Sequence, residues 1–258
     1  MSDIATKLTA IAENQQRVYD AGYTAGQSAG GDTEAAYEQG VADGRQAEYD
    51  AFWNAYQDNG NRKDYCGAFY GKGWNINNFK PMHPIKTEGT VSNMFRDISM
   101  PGVDLADVLR VTGFDTSKSS GFTYNFHSAN CKGTPMVDAS NANTFSNEFA
   151  NSKVEIIRLK VSESTPYTNV FYNCKELVEL YITGTIGKSG LDFQWSTRLS
   201  KDSIIRIINA LSTNASGLSI TLSRAAVESA FDSTTADEWT ALIAPKIAPN
   251  GGWTITLV

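Results

Sequence analysis

A short unit that returns between residues 91 and 195 constrains this chain more than any other feature of its sequence. The segments NFHSANCKGTPMV (125–137), EFANSKVEIIRLKV (148–161) and VFYNCKELVELYI (170–182) each carry a Phe near the start (126, 149, 171). Each then places a small residue three positions on (Ala129, Ser152, Cys174) and runs into an alternating apolar stretch. The phenylalanines lie 23 and 22 residues apart, a period proper to stacked repeat units. A degenerate earlier copy begins at Met94-Phe95, and LDFQW (191–195) reads as the strand of a further copy. In the two better copies Ile157, Leu159 and Val161 align with Val178, Leu180 and Ile182. Period two with β-branched residues predicts a short strand with one buried face. One unit cannot bury that face alone, so the units must stack, with the Phe plugging the space between them.

If those aliphatics point inward, Arg158 and Lys160 point outward beside Glu179 and Tyr181, and Asp192 and Gln194 extend the row. These six residues are the candidate ligand-facing surface. A cross-strand Arg158–Glu179 pair is expected there, worth well under ~1 kcal/mol on an exposed face.

The ends of the chain read differently. Ile4, Leu8, Ile11, Gln15, Val18, Gly22, Ala25 and Ala29 follow one another at alternating spacings of four and three. That is the pattern of helices wound around each other, so this seam predicts oligomerisation. Gly30-Gly31-Asp32 breaks it, and a second helix is expected from Thr33 to about Gln57, closed by Asp58-Asn59-Gly60-Asn61. Pro81 and Pro84 exclude a long helix from the aromatic-rich stretch after it. Beyond the repeats, SKDSIIRIINAL (200–211) predicts an apolar-faced helix and Leu218–Ser223 a strand. Thr235 and Glu238 predict a capping box, and WTITLV (253–258) a terminal strand. The expected class is α+β: an N-terminal helical stalk with a coiled-coil pattern, a short leucine-rich-repeat-like solenoid, and a C-terminal α/β cap. Its divisions are 1–57 for attachment, 58–90 as an aromatic linker module, 91–198 as solenoid and 199–258 as cap.

Composition removes several functions. A net charge of −6, with no Lys/Arg block, argues against nucleic acid as a partner. Three cysteines, Cys66, Cys131 and Cys174, are too few and too scattered for a disulfide framework. No run approaches the length of a membrane span, and MSDIATKLTA has neither the charged nor the apolar region of a secretory signal. His127 and Cys131 are four apart with no second pair, and His83 stands between prolines, so no metal, cofactor or catalytic residue is expected. A glycan depolymerase needs only two carboxylates close in space, but Asp and Glu here fall mostly on helix faces and in turns.

The Phe-x-Asn-Cys-x-x-Leu form at 171–177 resembles the bacterial surface-antigen type of leucine-rich repeat. ITGTIGKSGLDFQWSTRLSKDSIIRIINAL (182–211) resembles the end of repeat proteins from tail modules of phages and prophages of Gram-positive bacteria. GRQAEYDAFWNAYQDNGNR (44–62) resembles their linker helix, and Trp253–Leu257 their last strand. The resemblance implies a non-enzymatic virion protein of the tail, baseplate or tail fibre that helps attach the particle to its host. It implies as partners copies of the chain (a trimer by analogy with fibres), other tail proteins and a host-surface receptor. The alternatives are a cell-surface adhesin of the same repeat and, less favoured, the depolymerase.

Overall fold

The structure, a computed structural model, describes residues 86–110, 114–214 and 216–258. The seam from Ile4 to Ala29, the second helix and nearly all of the aromatic linker lie outside these residues. The described chain runs β1 (Lys86–Ser92), β2 (Ser99–Asp104), α1 (Leu105–Leu109), β3 (Asp115–Thr123), β4 (Asn130–Asp138), β5 (Thr144–Ser146) and β6 (Ile156–Val161). It continues through β7 (Glu179–Gly184), β8 (Asp192–Phe193), α2 (Lys201–Ala210), β9 (Leu218–Leu222), α3 (Arg224–Phe231), α4 (Asp237–Ile243) and β10 (Trp253–Leu257).

The α+β class is overturned. The strands form three sheets, β1-β3-β5, β2-β4-β6-β7 and β10-β9-β8, and every pairing within them is parallel. The described residues show no helical stalk, and the expected α/β cap is built on a parallel sheet of its own. The reason lies in the repeat. Each coil leaves a strand of the first sheet, turns, adds a strand to the second and returns in the same direction, so successive coils can pair only in parallel. Backbone groups are thereby satisfied from coil to coil, and helices remain short.

The turn joining the two sheets shows why the Phe recurs. Each turn holds two residues of positive φ four positions apart: Asn93 and Asp97, Tyr124 and Ser128, Asn147 and Asn151, Asn169 and Asn173. Six of these eight are Asn or Asp, the side chains that best tolerate the left-handed region. Between them the chain curls tightly enough to aim the Phe inward while its N–H reaches the next coil. Phe95 N donates to Asn125 O (2.8 Å), Phe126 N to Glu148 O (2.8 Å) and Phe149 N to Val170 O (3.0 Å). The rings of Phe95, Phe126, Phe149, Phe171 and Phe193 form one buried column, with successive centroids 5.0, 5.4, 5.6 and 4.5 Å apart. The degenerate copy at Met94-Phe95 is thus a full member, and Phe193 contributes its ring to the column.

The register differs from the alignment of the two better copies. Ile157 pairs with Leu180, Leu159 with Ile182 and Val161 with Gly184. One extra residue between Lys175 and Leu177 delays the strand, which leaves Val178 half-buried ahead of it. Past β7 the chain hugs the preceding coil. Gly184 and Gly190 have φ of +92° and +109°, and a Cβ on either would run into the carbonyl oxygen of Val161 or Tyr167.

No strand follows β7 in its sheet. Helix α2 lies there instead, N-capped by Ser200 and burying Ile204, Ile207 and Ile208. Its Ser203 hydroxyl accepts from Leu180 N (2.9 Å) and can donate to Val178 O (3.2 Å), filling the sheet edge as a further strand would. Helix α3, which sequence reasoning missed, is N-capped by Ser223. The expected capping box of α4 does not form: Ala236 is its N-cap, and the Thr235 hydroxyl pairs with Ser233. Lys246 instead closes the far end of α2, donating to Asn209 O (3.2 Å) and Leu211 O.

The column contains one acid. Glu148 is fully buried, and its Oε2 accepts from Asn125 N (3.2 Å) and Nδ2 (2.9 Å). Its Oε1 has no hydrogen-bond partner. Burial pushes its pKa up to about 8, against the opposing hydrogen bonds from Asn125.

Truncating Phe149 or Phe171 to Ala should destabilise by about 3–5 kcal/mol, measured by denaturant unfolding. A loss under ~1 kcal/mol would show that the column carries no load. Because the native state holds Glu148 protonated where the unfolded chain does not, stability should fall as pH rises from 4.5 to about 8 and then level. Glu148→Gln should remove that contribution and stabilise on the order of 2 kcal/mol at pH 8; a pH dependence unchanged by the substitution would refute the assignment.

Candidate functional site

Strands β2, β4, β6 and β7 turn their inner residues to the phenylalanine column and their alternate residues to solvent. Register places Met136, Arg158 and Tyr181 in one transverse row, with Asp138, Lys160 and Thr183 in the next. Met136 and Tyr181 are 42% and 41% exposed, and the register sets them on either side of Arg158, so two large side chains stand open in one row.

Arg158 does not pair with Glu179. Its guanidinium grips the Asp104 carboxylate with two bonds, Nη1 to Oδ1 at 3.0 Å and Nη2 to Oδ2 at 2.9 Å, and Nη1 also donates to Thr134 O (2.7 Å). Asp104 lies across β4 because residue 133 is glycine; a Cβ there would come within 2.5 Å of Oδ1. The same Oδ1 accepts from Ala106 N (3.0 Å) and so begins α1. Such a fork-to-fork pair, partly shielded from water, fixes the plane of the guanidinium.

Glu179 turns the other way. Its Oε2 accepts from Arg206 Nη1 (3.2 Å), and the Ser203 hydroxyl, 3.1 Å away on the same helix α2, can donate its one proton either to it or to Val178 O. The Tyr181 ring therefore sits between two held cations, Arg158 at 5.9 Å and Arg206 at 4.6 Å from its centroid. Lys160 Nζ meets Asp138 Oδ2 at 2.9 Å. Burial raises the Asp138 carboxyl, but hydrogen bonds from Ser140 and Lys160 outweigh it and hold the pKa below the usual range.

Four of the six expected surface residues, Arg158, Lys160, Glu179 and Tyr181, thus share one face. Asp192 and Gln194 do not. Strand β8 pairs with β9, and Gln194 bonds back to Asp192, Nε2 to Oδ2 at 2.7 Å. The row ends at β7 because α2 covers that edge. Sequence reasoning missed Asp104, Met136 and Arg206; Asp104 lies 54 residues from Arg158, and no local pattern signals the pairing.

Other groups are arranged for structure. Cys131 and Cys174 are buried, and burial pushes both thiols up to about 12, so both stay protonated. His127 lies in a turn against Ser128 and Asn151, whereas Cys131 is buried in β4. Among the described residues no group of three or more His, Cys, Asp and Glu side chains could hold a metal ion, and no helix is long and apolar enough to cross a membrane.

Neither a family model, nor a curated protein, nor a solved structure matches this chain. The geometry of the face therefore carries the functional argument. Replacing Asp104 with Asn should destabilise by about 2–4 kcal/mol, because it leaves the Arg158 guanidinium partly buried without its counter-charge. Thermal unfolding of D104N would check this, and a melting temperature equal to the parent's would count against a bidentate clamp.

Proposed function

We propose that the chain is a non-catalytic virion protein of a phage tail or baseplate, and that its solenoid presents the β2-β4-β6-β7 face to a host-surface receptor. In this reading its other partners are neighbouring tail proteins and further copies of itself. The sequence support is the resemblance at 44–62 and 182–211 to tail-module repeat proteins.

The observation that carries the recognition half is the row Met136–Arg158–Tyr181–Arg206. Two guanidiniums are pinned by Asp104 and Glu179, which leaves the Tyr181 ring and the Met136 side chain open between and beside them. Tyr and Arg dominate binding energy at interfaces, and side chains already locked in place lose little entropy when a partner arrives. A face built only for solubility has no use for exposed Tyr and Met held in register.

Two measurements test the proposal. Mass spectrometry of purified particles, released from the bacterium that encodes the chain, should find it as a virion component; its absence would refute the tail assignment. Particles carrying Tyr181→Ala with Arg206→Ala should adsorb to host cells at least tenfold more slowly while the protein's melting temperature falls only a few degrees. Adsorption equal to the parent's would remove this face from the attachment step.

A further inference from the structure

A second surface runs along the turns, at the side of the solenoid where the chain passes from one sheet to the other. Because the turns as far as that of Phe171 bond one to the next through alternate residues, equivalent positions line up along the solenoid axis. One such line holds Ser128, Asn151 and Asn173, and Trp195, two residues past Phe193 as Asn173 is past Phe171, stands at its end against Tyr172. The line beside it holds His127, Ala150 and Tyr172. Asn173 Nδ2 donates to Asn151 Oδ1 (2.9 Å), and Asn151 Nδ2 lies 3.3 Å from His127 Nε2. Asn151 is exposed and Asn173 half-buried, and the row ends at two exposed rings, Tyr172 at 48% and Trp195 at 40%. The rings stand edge to face with centroids 6.5 Å apart, and Lys175 Nζ lies 5.6 Å from the Trp195 ring centroid.

The left-handed turn positions account for Asn at 151 and 173. They do not account for Trp195 or Tyr172, whose large rings stay half in water although a buried aromatic column runs directly beneath them. A position that needs only to close a turn is filled by a small polar residue, as Ser128 fills it one end away.

We propose that this turn edge is a binding strip for an extended polysaccharide chain lying along the solenoid axis. A pyranose ring has an apolar face of C–H groups and a polar rim of hydroxyls, and the strip offers one partner for each. The Trp195 and Tyr172 rings give flat apolar platforms with an electron-rich face. Each amide in the row uses one N–H within the row and keeps the second to meet a hydroxyl. Successive amides repeat at the coil spacing, close to the spacing of neighbouring strands and comparable to the advance per sugar in an extended glycan. Ala150, small and buried, separates His127 from Tyr172 in the second line. Lys153 and Lys175, both exposed on the adjoining segment, favour a glycan that carries carboxylate or phosphate groups. This strip is separate from the Tyr181 face, and it stands whether or not the chain belongs to a tail.

The full-length chain is tested against immobilised bacterial capsular and wall polysaccharides, together with polygalacturonate and chito-oligosaccharides as defined acidic and neutral probes. At least one of these should bind. Tyr172→Ala and Trp195→Ala should each weaken that binding tenfold or more, with melting temperatures close to the parent's because both rings are half-exposed. Trp195→Phe, which keeps an aromatic platform, should retain most of the affinity and guards against a merely structural loss. Failure of every probe to bind overturns the strip. Binding that survives both alanine variants overturns it too, and its loss in Tyr181→Ala would move the glycan to the sheet face. None of these results touches the particle measurement, so failure of the strip and failure of the tail assignment remain distinguishable.

Discussion

The structure hangs on a repeated pairing: a phenylalanine ring stacked on its counterpart in the next coil, and the N–H beside it bonded to that coil's carbonyl. Neither part suffices alone. The rings supply apolar burial but no direction, since hydrophobic contact is tolerant of angle. The backbone bonds supply direction but little net stability, since water offers the same groups equivalent partners. Together they fix the rise from coil to coil, and every row of side chains on the outer surfaces inherits that rise. The left-handed turn residues bring the two parts together. In the four turns from Asn93 to Asn173, the two positive φ values let the Phe face inward while its neighbours reach outward.

A parallel stack has open edges wherever it stops, and its termination decides what the surface can be. At β7 the Ser203 hydroxyl takes the bonds a further strand would have made, and α2 lies over the edge. This closure protects the sheet from pairing with other chains. It also brings Arg206 beside Tyr181, so the element that ends the sheet completes its most distinctive row. Further on, a second parallel sheet starts with β8, which is why Asp192 and Gln194 follow the row in sequence but leave it in space.

The two surfaces differ in electrostatic character. On the sheet face the main cations are matched: Arg158 by Asp104, Arg206 by Glu179, Lys160 by Asp138. Such a face carries little net field and recognises by shape, ring and fixed hydrogen-bond direction. On the turn edge, neutral amides and two rings lie beside exposed lysines. The first arrangement suits a protein partner and the second a saccharide. In the attachment role proposed above, a host envelope would present both kinds of partner to the one solenoid.

Much of this was legible in the chain itself. The spacing of Phe126, Phe149 and Phe171 announced stacked units with the rings between them, because a period near 22 residues with one large apolar residue per unit has few other solutions. The alternation in β6 announced which residues face out, because side chains on a strand must alternate. The parallel sense of the sheets, the strand offset after Lys175, the unexpected α3 and the partners of Arg158 and Glu179 were not legible. They depend on groups far apart in the chain meeting in space. Asp104 can reach Arg158 only because Gly133 leaves room between them, and Glu179 faces Arg206 only because a helix ends the sheet. Local pattern determined which residues would be buried and which exposed; tertiary packing alone decided which exposed residues would be neighbours, since that depends on how the coils stack and where the stack ends.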